Sequence, residues 1–338
     1  MEPNSQSDLP ATLSPAEKSL GRAAACQFLG GLLLEGVTPA LLDRVREIPL
    51  LAGALPEPAE PDHLAAAHYS LFQLNVFPYE TIFLDSANLL GGPASERIAA
   101  AYRDLNYLVE TNTVHLDHVA VELGALAHVC RLEARAISSG NAESVRSIQR
   151  RGLAFLDRHL LQWILPLALS IQSQKHSFYT ALSQLLLELL AELVGEWSGL
   201  ESAASKTSRL EDAPVILESD KTGLKDIAGY LAVASYCGVF LSRQQIGELA
   251  REVDLPRGFG SRSQMLLTLL ESASRYERVS ALLARLDILL EGAEAYYQGG
   301  GGHKANLGCY GRPWRLKAAG TRELLRRMSA LIEADTST

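Results

Sequence analysis

The chain has 338 residues, of which 47% are hydrophobic, 21% charged and 7% aromatic. That is enough apolar material for one large domain or two smaller ones. Its 26 glycines and 14 prolines are too few for a fibrous or low-complexity chain, and its net charge of −8 argues against non-specific nucleic-acid binding. Four cysteines (Cys26, Cys130, Cys237, Cys309) lie far apart with no CxxC pair, which excludes a disulfide framework or zinc ribbon and fits reduced thiols in a cytosol. The N-terminus has no basic segment followed by an apolar core, so no secretory signal is expected. No apolar run approaches the roughly 20 residues of a membrane span; Leu182 to Val194 carries Glu188 and Glu192. These features predict a cytoplasmic chain that does not enter the membrane.

In chain order the periodicity is helical almost throughout, and the expected class is an all-α bundle. Ser14-Pro15-Ala16-Glu17 is a capping box with proline at the first helical position. The helix it opens carries Leu20, Ala24, Phe28 and Leu32 on one face. Further helices are expected at Pro61 to about Leu74, Ser95–Leu108, Leu116–Ser138, Ala142–Ser170 and His176–Trp197. The polar stretch Gly199–Asp220 reads as a linker or long loop, with a weak β-like run at Ala213–Leu217. Helices at Gly223–Tyr236, Ser242–Val253, Ser261–Tyr297 and Thr321–Ala334 complete the pattern. The glycine run 299–302 is expected to break the chain and free a basic tail, where seven basic residues between His303 and Arg327 face one acid, Glu323. The organisation expected is a helical domain over 1–198, a linker over 199–221 and a C-terminal helical region over 222–338.

Three groups of residues invite chemistry. His115-Leu116-Asp117-His118-Val119-Ala120-Val121-Glu122 places His118 and Glu122 on one helical face, with Asp117 at the helix start as a cap. That segment reads either as a cap plus a His–Glu pair or as a metal site of His115, His118 and Glu122. The aromatic segment from Leu71 to Phe83 is cut by Pro78, which removes an N–H and bars Phe77 from helical geometry; a bend is expected there. Tyr79 and Glu80 each carry a polar tip needing a partner or solvent. Arg257-Gly258-Phe259-Gly260-Ser261-Arg262 precedes a helix, so Arg257, Gly258, Gly260 and Arg262 form either a solvated turn or an anion or nucleotide site. The Walker pattern, the GxSxG elbow and Cys–His signatures are absent.

Taken together, these segments resemble the TorD/DmsD/NarJ family of maturation chaperones for molybdenum-containing redox enzymes. The family pattern is an LF pair, a P-Y-E-S-like bend, then D-H-hydrophobic-x-x-E-L on a helix. It is met by Leu71-Phe72, Pro78-Tyr79-Glu80-Thr81 and Asp117-His118-Val119-Ala120-Val121-Glu122-Leu123. Tyr102 lies between the motifs, and His159-Leu160-Leu161-Gln162-Trp163-Ile164-Leu165-Pro166 with Phe178-Tyr179 is similar to the family's later run. Thr81 replaces a serine, Leu116 a proline, and His68 stands where an aromatic is usual. The likeness covers about residues 15–200. A vaguer likeness of 226–276 is to longer members that serve dehydrogenases and related molybdoenzymes.

The resemblance implies an all-α, non-enzymatic cytoplasmic chaperone, monomer or homodimer, without a cofactor or bound metal of its own. Its partner would be a molybdoenzyme catalytic subunit in precursor or apo form, recognised in part by its twin-arginine signal peptide. Leu71, Phe72, Pro78 and Tyr79 would line a groove for the peptide, Glu80, Asp117 and Glu122 would supply charge for its arginines, and His118 would orient or sense those carboxylates. Apart from the resemblance, a secondary reading has the Arg257–Arg262 turn or the basic tail touch the phosphates of a pterin dinucleotide or guanine nucleotide. No twin-arginine leader is expected on the chain itself, whose first Arg-Arg is Arg150-Arg151. The competing readings are a helical scaffold or regulator and a metal-dependent all-α enzyme.

Overall fold

A computed structural model describes residues 13–86, 93–109, 114–198, 210–217, 222–299 and 304–336. The chain opens with α1 (Pro15–Glu35), α2 (Pro39–Arg46), α3 (Pro49–Ala52) and α4 (Pro61–Tyr69). Each of the four begins on a proline, whose fixed φ and missing N–H suit the first helical position. The Ser14–Glu17 capping box closes the start of α1, as expected. A π-helical turn over Ser70–Asn75 leads to α5 (Glu80–Leu84) and α6 (Pro93–Asp104). Four long helices follow: α7 (Val119–Ser138), α8 (Ala142–Arg158), α9 (Leu160–Gln172) and α10 (Ser177–Trp197). The C-terminal part holds α11 (Leu224–Ala232), α12 (Ala234–Cys237), α13 (Arg243–Glu252), α14 (Arg262–Arg275), α15 (Val279–Gln298) and α16 (Lys304–Thr336).

The all-α expectation holds, and among the described residues the β pairing is confined to one isolated bridge, Tyr79 with His118. Several boundaries differ from the sequence reading. The helix expected over 142–170 is two, broken at His159 (φ −124°, ψ −94°). The one expected over 261–297 breaks at Tyr276–Arg278, where Glu277 takes φ 56° without any glycine or proline to announce it. The one expected over 223–236 divides at Val233. Residues 213–217 form no strand. Most of the linker, 199–209 and 218–221, and the glycines 300–302 lie outside the described residues.

The basic tail is not free. It belongs to α16, whose Leu307, Trp314, Ala318, Thr321 and Leu325 are buried. Trp314 Nε1 donates to Gln162 O on α9 at 2.8 Å, and Tyr310 bonds Asp157 on α8. Arg322 is held by Asp287, Glu291 and Glu294 of α15, and Lys317 reaches Glu211 O. Apolar burial on one face and local acids on the other outweigh the tail's basic composition. The buried apolar residues of both halves form one continuous cluster. Phe83 meets Phe240 at 5.1 Å between ring centroids, and Gln244 N–H donates to Asn75 Oδ1 at 3.0 Å. One helix, α10, is long and apolar enough to cross a membrane, but 67% of its most apolar window is buried inside this fold.

α1 lies along α7. Gly30 faces Ala120, whose carbonyl oxygen would sit 3.4 Å from a Cβ at that position. At the end of α1, Gly36 takes φ 77° and a Cβ there would come 2.9 Å from the Cβ of His68, so only glycine fits. His68 in turn donates from Nε2 to Leu33 O at 3.2 Å, tying α4 to the last turn of α1.

Candidate functional site

Pro78 sets the geometry of the site. Without an N–H, and with Phe77 kept out of the helical region, the chain from Val76 to Tyr79 runs extended between the π turn and α5. An extended backbone needs partners, and it finds them in the residues before α7. Val119 N–H donates to Pro78 O at 3.0 Å and Glu80 N–H to Asp117 O at 2.9 Å, which forms the Tyr79–His118 bridge. Two motifs almost 40 residues apart thus become one backbone unit.

The side chains lock this unit. Asp117 does not cap the helix that follows it, as the spacing suggested. Its Oδ2 reaches across the bridge and accepts from Thr81 N–H at 3.1 Å and Thr81 Oγ1 at 2.6 Å, capping α5. His118 takes the cap of α7 instead: its Nδ1 accepts from Ala120 N–H at 3.1 Å. The departure from the family pattern at Thr81 keeps the hydroxyl, which is the group Asp117 uses.

Glu80 is buried and its Oε2 lies 2.9 Å from His159 Nδ1, at the break between α8 and α9. Tyr102 donates to Leu116 O at 2.7 Å, in place of any proline constraint at that turn. Leu71 and Phe72 lie in the core, where Phe72 meets Tyr179 edge-on at 5.4 Å and His68 at 5.1 Å. Phe83 packs on Trp163 at 5.5 Å. The Pro78–Thr81 and Asp117–His118 motifs therefore converge on one hub at the starts of α5 and α7, which Glu80 ties to His159, while Leu71 and Phe72 pack in the core with His68 and Tyr179. The pairing of Glu80 with His159, 79 residues away, was the connection the sequence did not announce; the only signal was a polar tip in need of a partner.

Burial decides what these residues can do. Asp117 and Glu122 are 0% exposed, Glu80 1%, Phe72 2% and His118 and Leu71 4%. They are buried in this conformation, so Leu71, Phe72 and Pro78 do not display the exposed lining expected of a peptide channel. Half-buried Tyr79 and the exposed His115 beside it, at 6.1 Å between ring centroids, carry the hub towards the surface. Burial, aided by nearby His68, pushes the His118 pKa down to about 4, so the ring is neutral near pH 7. That agrees with its cap: an Nδ1 that accepts leaves the proton on Nε2. Burial likewise raises the Tyr102 and Tyr79 phenols, with Asp117 adding to the shift of Tyr79.

Among the described residues no three His, Cys, Asp or Glu side chains converge on a point. In particular His115, His118 and Glu122 are not so grouped, and His118 Nδ1 is engaged on the backbone of α7. The anion reading of Arg257, Gly258, Gly260 and Arg262 needs correction. Arg262 turns inward: Nε donates to Leu241 O at 2.7 Å, a terminal nitrogen donates to Ala232 O at 2.8 Å, and the guanidinium lies 3.7 Å over Phe240. Burial pulls its pKa down to about 10. The free N–H groups of α14 are capped by Ser261 in a reciprocal box with Gln264. Arg257 packs over Gly247 instead of joining Arg262. Arg262 and the N-terminus of α14 are thus already used by the fold.

A family model described as nitrate reductase delta subunit matches residues 38–168, a span that contains α2 to α8 and the whole Tyr79–His118 bridge. Over that span, less than half of the chain, the sequence is similar to NarJ/TorD-type chaperones. No curated protein and no solved structure matches the chain significantly.

Proposed function

We propose, from the family likeness of residues 38–168, that this protein is a maturation chaperone for the catalytic subunit of a molybdoenzyme. It holds that subunit in precursor or apo form in the cytoplasm while the cofactor is inserted, and it turns over no substrate. The observation that supports the reading is the joining of the Pro78–Thr81 and Asp117–His118 motifs with His159 in one hub within the matched segment. Motifs that merely filled separate helices would have no reason to meet.

Within that reading the buried members act by position. Asp117, Thr81, Glu80 and His159 hold the extended 76–79 strip against α7, and the strip presents Tyr79 beside His115. Client contact falls on that edge, with Leu71, Phe72, Pro78, His118 and Glu122 fixing its shape from within. The client's twin-arginine leader is the element recognised during the holding step.

The test is made in the source cells. In a strain lacking the chain, a molybdoenzyme catalytic subunit should accumulate without its molybdenum cofactor, and plasmid-borne wild type should restore loading. An Asp117→Ala, His118→Ala double variant that still folds should restore it poorly. Full cofactor loading of every molybdoenzyme in the deletion strain would overturn the proposal.

A further inference from the structure

The chain carries a net charge of −8, yet one face of it is cationic. α7 and α8 are joined by a short turn and lie side by side, with Gly152 of α8 against Val129 of α7. The turns around that contact carry His128, Arg131 and Arg135 on α7 and Arg150 and Arg151 on α8. Among the described residues Arg131, Arg135, Arg150 and Arg151 have no carboxylate at ion-pair distance. Glu133, between Arg131 and Arg135 in the chain, is buried and spent on Ser19, Gln149 and Trp197. Like charges are thus gathered on one helix pair without counter-charge.

Two nitrogens of this face, Arg151 Nε and His128 Nε2, are buried with no hydrogen-bond partner. Arg151 reaches one acceptor, Asp104 O at the end of α6, at 3.3 Å, longer than the usual 2.7–3.2 Å. A buried charged donor without an acceptor is costly, so the fold leaves a demand for one. Burial pushes the His128 pKa down, Arg131, Arg135 and Arg151 push the same way, and the Leu105 carbonyl opposes them. The ring is therefore mostly neutral near pH 7 and able to donate from one nitrogen. Beside Arg151, between α6 and α8, lies a cavity of about 120 Å³ walled by Leu105, Ala154 and Phe155. That is about four times the roughly 30 Å³ of a water molecule in the liquid, room for a group of four oxygens and not for the body of a larger ligand. Arg158 and Asp104, both exposed, complete its charged lining.

We infer that this face binds a tetrahedral oxyanion of the phosphate class, seated beside Arg151 between α6 and α8, with Arg158 at the mouth and His128, Arg131 and Arg135 surrounding it. A guanidinium offers several donors in a fixed fork, which matches the oxygens of such an anion and not a spherical ion such as chloride. The same chemistry serves an anion free in solution and a lipid headgroup. In the second case Leu108, 84% exposed, would enter the acyl region; it follows Tyr107, whose ring lies 5.8 Å from that of His128. The site stands apart from the client reading and does not depend on it.

The first probe is inorganic phosphate, titrated calorimetrically into the full chain in chloride buffer at constant ionic strength, where one saturable site should appear. Arg151→Gln should weaken phosphate binding at least about tenfold. Arg131→Gln should weaken it about threefold, with the difference shrinking as salt is added. Arg312→Gln, at an exposed arginine of α16, should change nothing. Should Arg151→Gln fail to fold, Arg131→Gln and the His128 ring decide: followed by NMR and assigned by its loss in His128→Gln, the ring should show a pKa that rises when phosphate binds. The second probe is a vesicle of phosphatidylcholine with or without phosphatidic acid, read by co-sedimentation. Phosphate binding without vesicle binding gives the site to the free anion. Sedimentation that needs phosphatidic acid and is lost in Arg151→Gln or Arg131→Gln gives it to a lipid headgroup, whether or not free phosphate also binds. Binding of neither probe, binding that both variants leave unchanged, or a His128 pKa that stays put with phosphate bound would overturn the inference.

Discussion

The hub around the Tyr79–His118 bridge and the arginine face of α7 and α8 are built on opposite terms. The hub is dense in motif residues and closed: Asp117 pairs with Thr81, Glu80 with His159, and almost none of its side chains meets solvent. The arginine face is left unmatched, with Arg151 Nε and His128 Nε2 buried without a partner, and no motif would single it out. Residues that mark the family thus hold the frame, and the charges left over for a ligand are drawn from ordinary ones. Polar residues recur in a pattern where tertiary hydrogen bonds demand particular groups at particular places. A surface that holds an anion by charge has wider latitude.

The widest separation between the two regions should come from Asp117→Ala. It leaves the Thr81 N–H and hydroxyl buried without their acceptor, at about 1–3 kcal/mol each. Urea unfolding should show a loss of about 3–4 kcal/mol, while the folded fraction binds phosphate as wild type does. A loss under about 1 kcal/mol would mean that the bridge does not depend on that cap.

Acid should act on the hub next. The folded pKa of His118 is about 4, below its ordinary value of 6.5, so the folded chain holds fewer protons than the unfolded chain between these values. Its contribution is complete above pH 6.5 and is lost as pH falls towards 4, to a total of about 3 kcal/mol at most. His68, lowered by burial, adds in the same direction. His118→Asn keeps a side-chain acceptor at the cap and cannot titrate; the urea midpoint of this variant should fall less between pH 7 and pH 4. An equal fall would place the acid sensitivity elsewhere.

Smaller effects follow. Glu80→Gln keeps the size of the side chain but removes its charge, and should cost about 1–2 kcal/mol by weakening the contact with His159. On the arginine face, Arg131→Gln should move stability by no more than about 0.5 kcal/mol. A larger change in thermal denaturation would show that the face is structural.

Local rules were legible in the sequence where they act within a few residues. The Ser14 capping box, the proline-led helices and the extended strip at Pro78 all follow from backbone chemistry that neighbours decide. What spans the chain was not legible. Asp117 beside Val119 reads as a cap for its own helix, yet it caps α5, because the bridge brings Thr81 closer than the first turn of α7. Arg257 and Arg262 looked alike in a glycine-rich turn, but Phe240 and the carbonyls of Leu241 and Ala232 draw only Arg262 inward. The basic tail looked free because its charges dominate composition, whereas Trp314 and Leu307 dominate its energy. Sequence indicates which groups need partners; packing decides which partner each one finds.

The most direct test of the account is affinity co-purification of the tagged wild-type protein from its own cells, with partners identified by mass spectrometry. The account predicts that wild type recovers one large molybdoenzyme subunit in its precursor form. Recovery of the wild-type protein alone, from cells in which molybdoenzymes are being made, would contradict it.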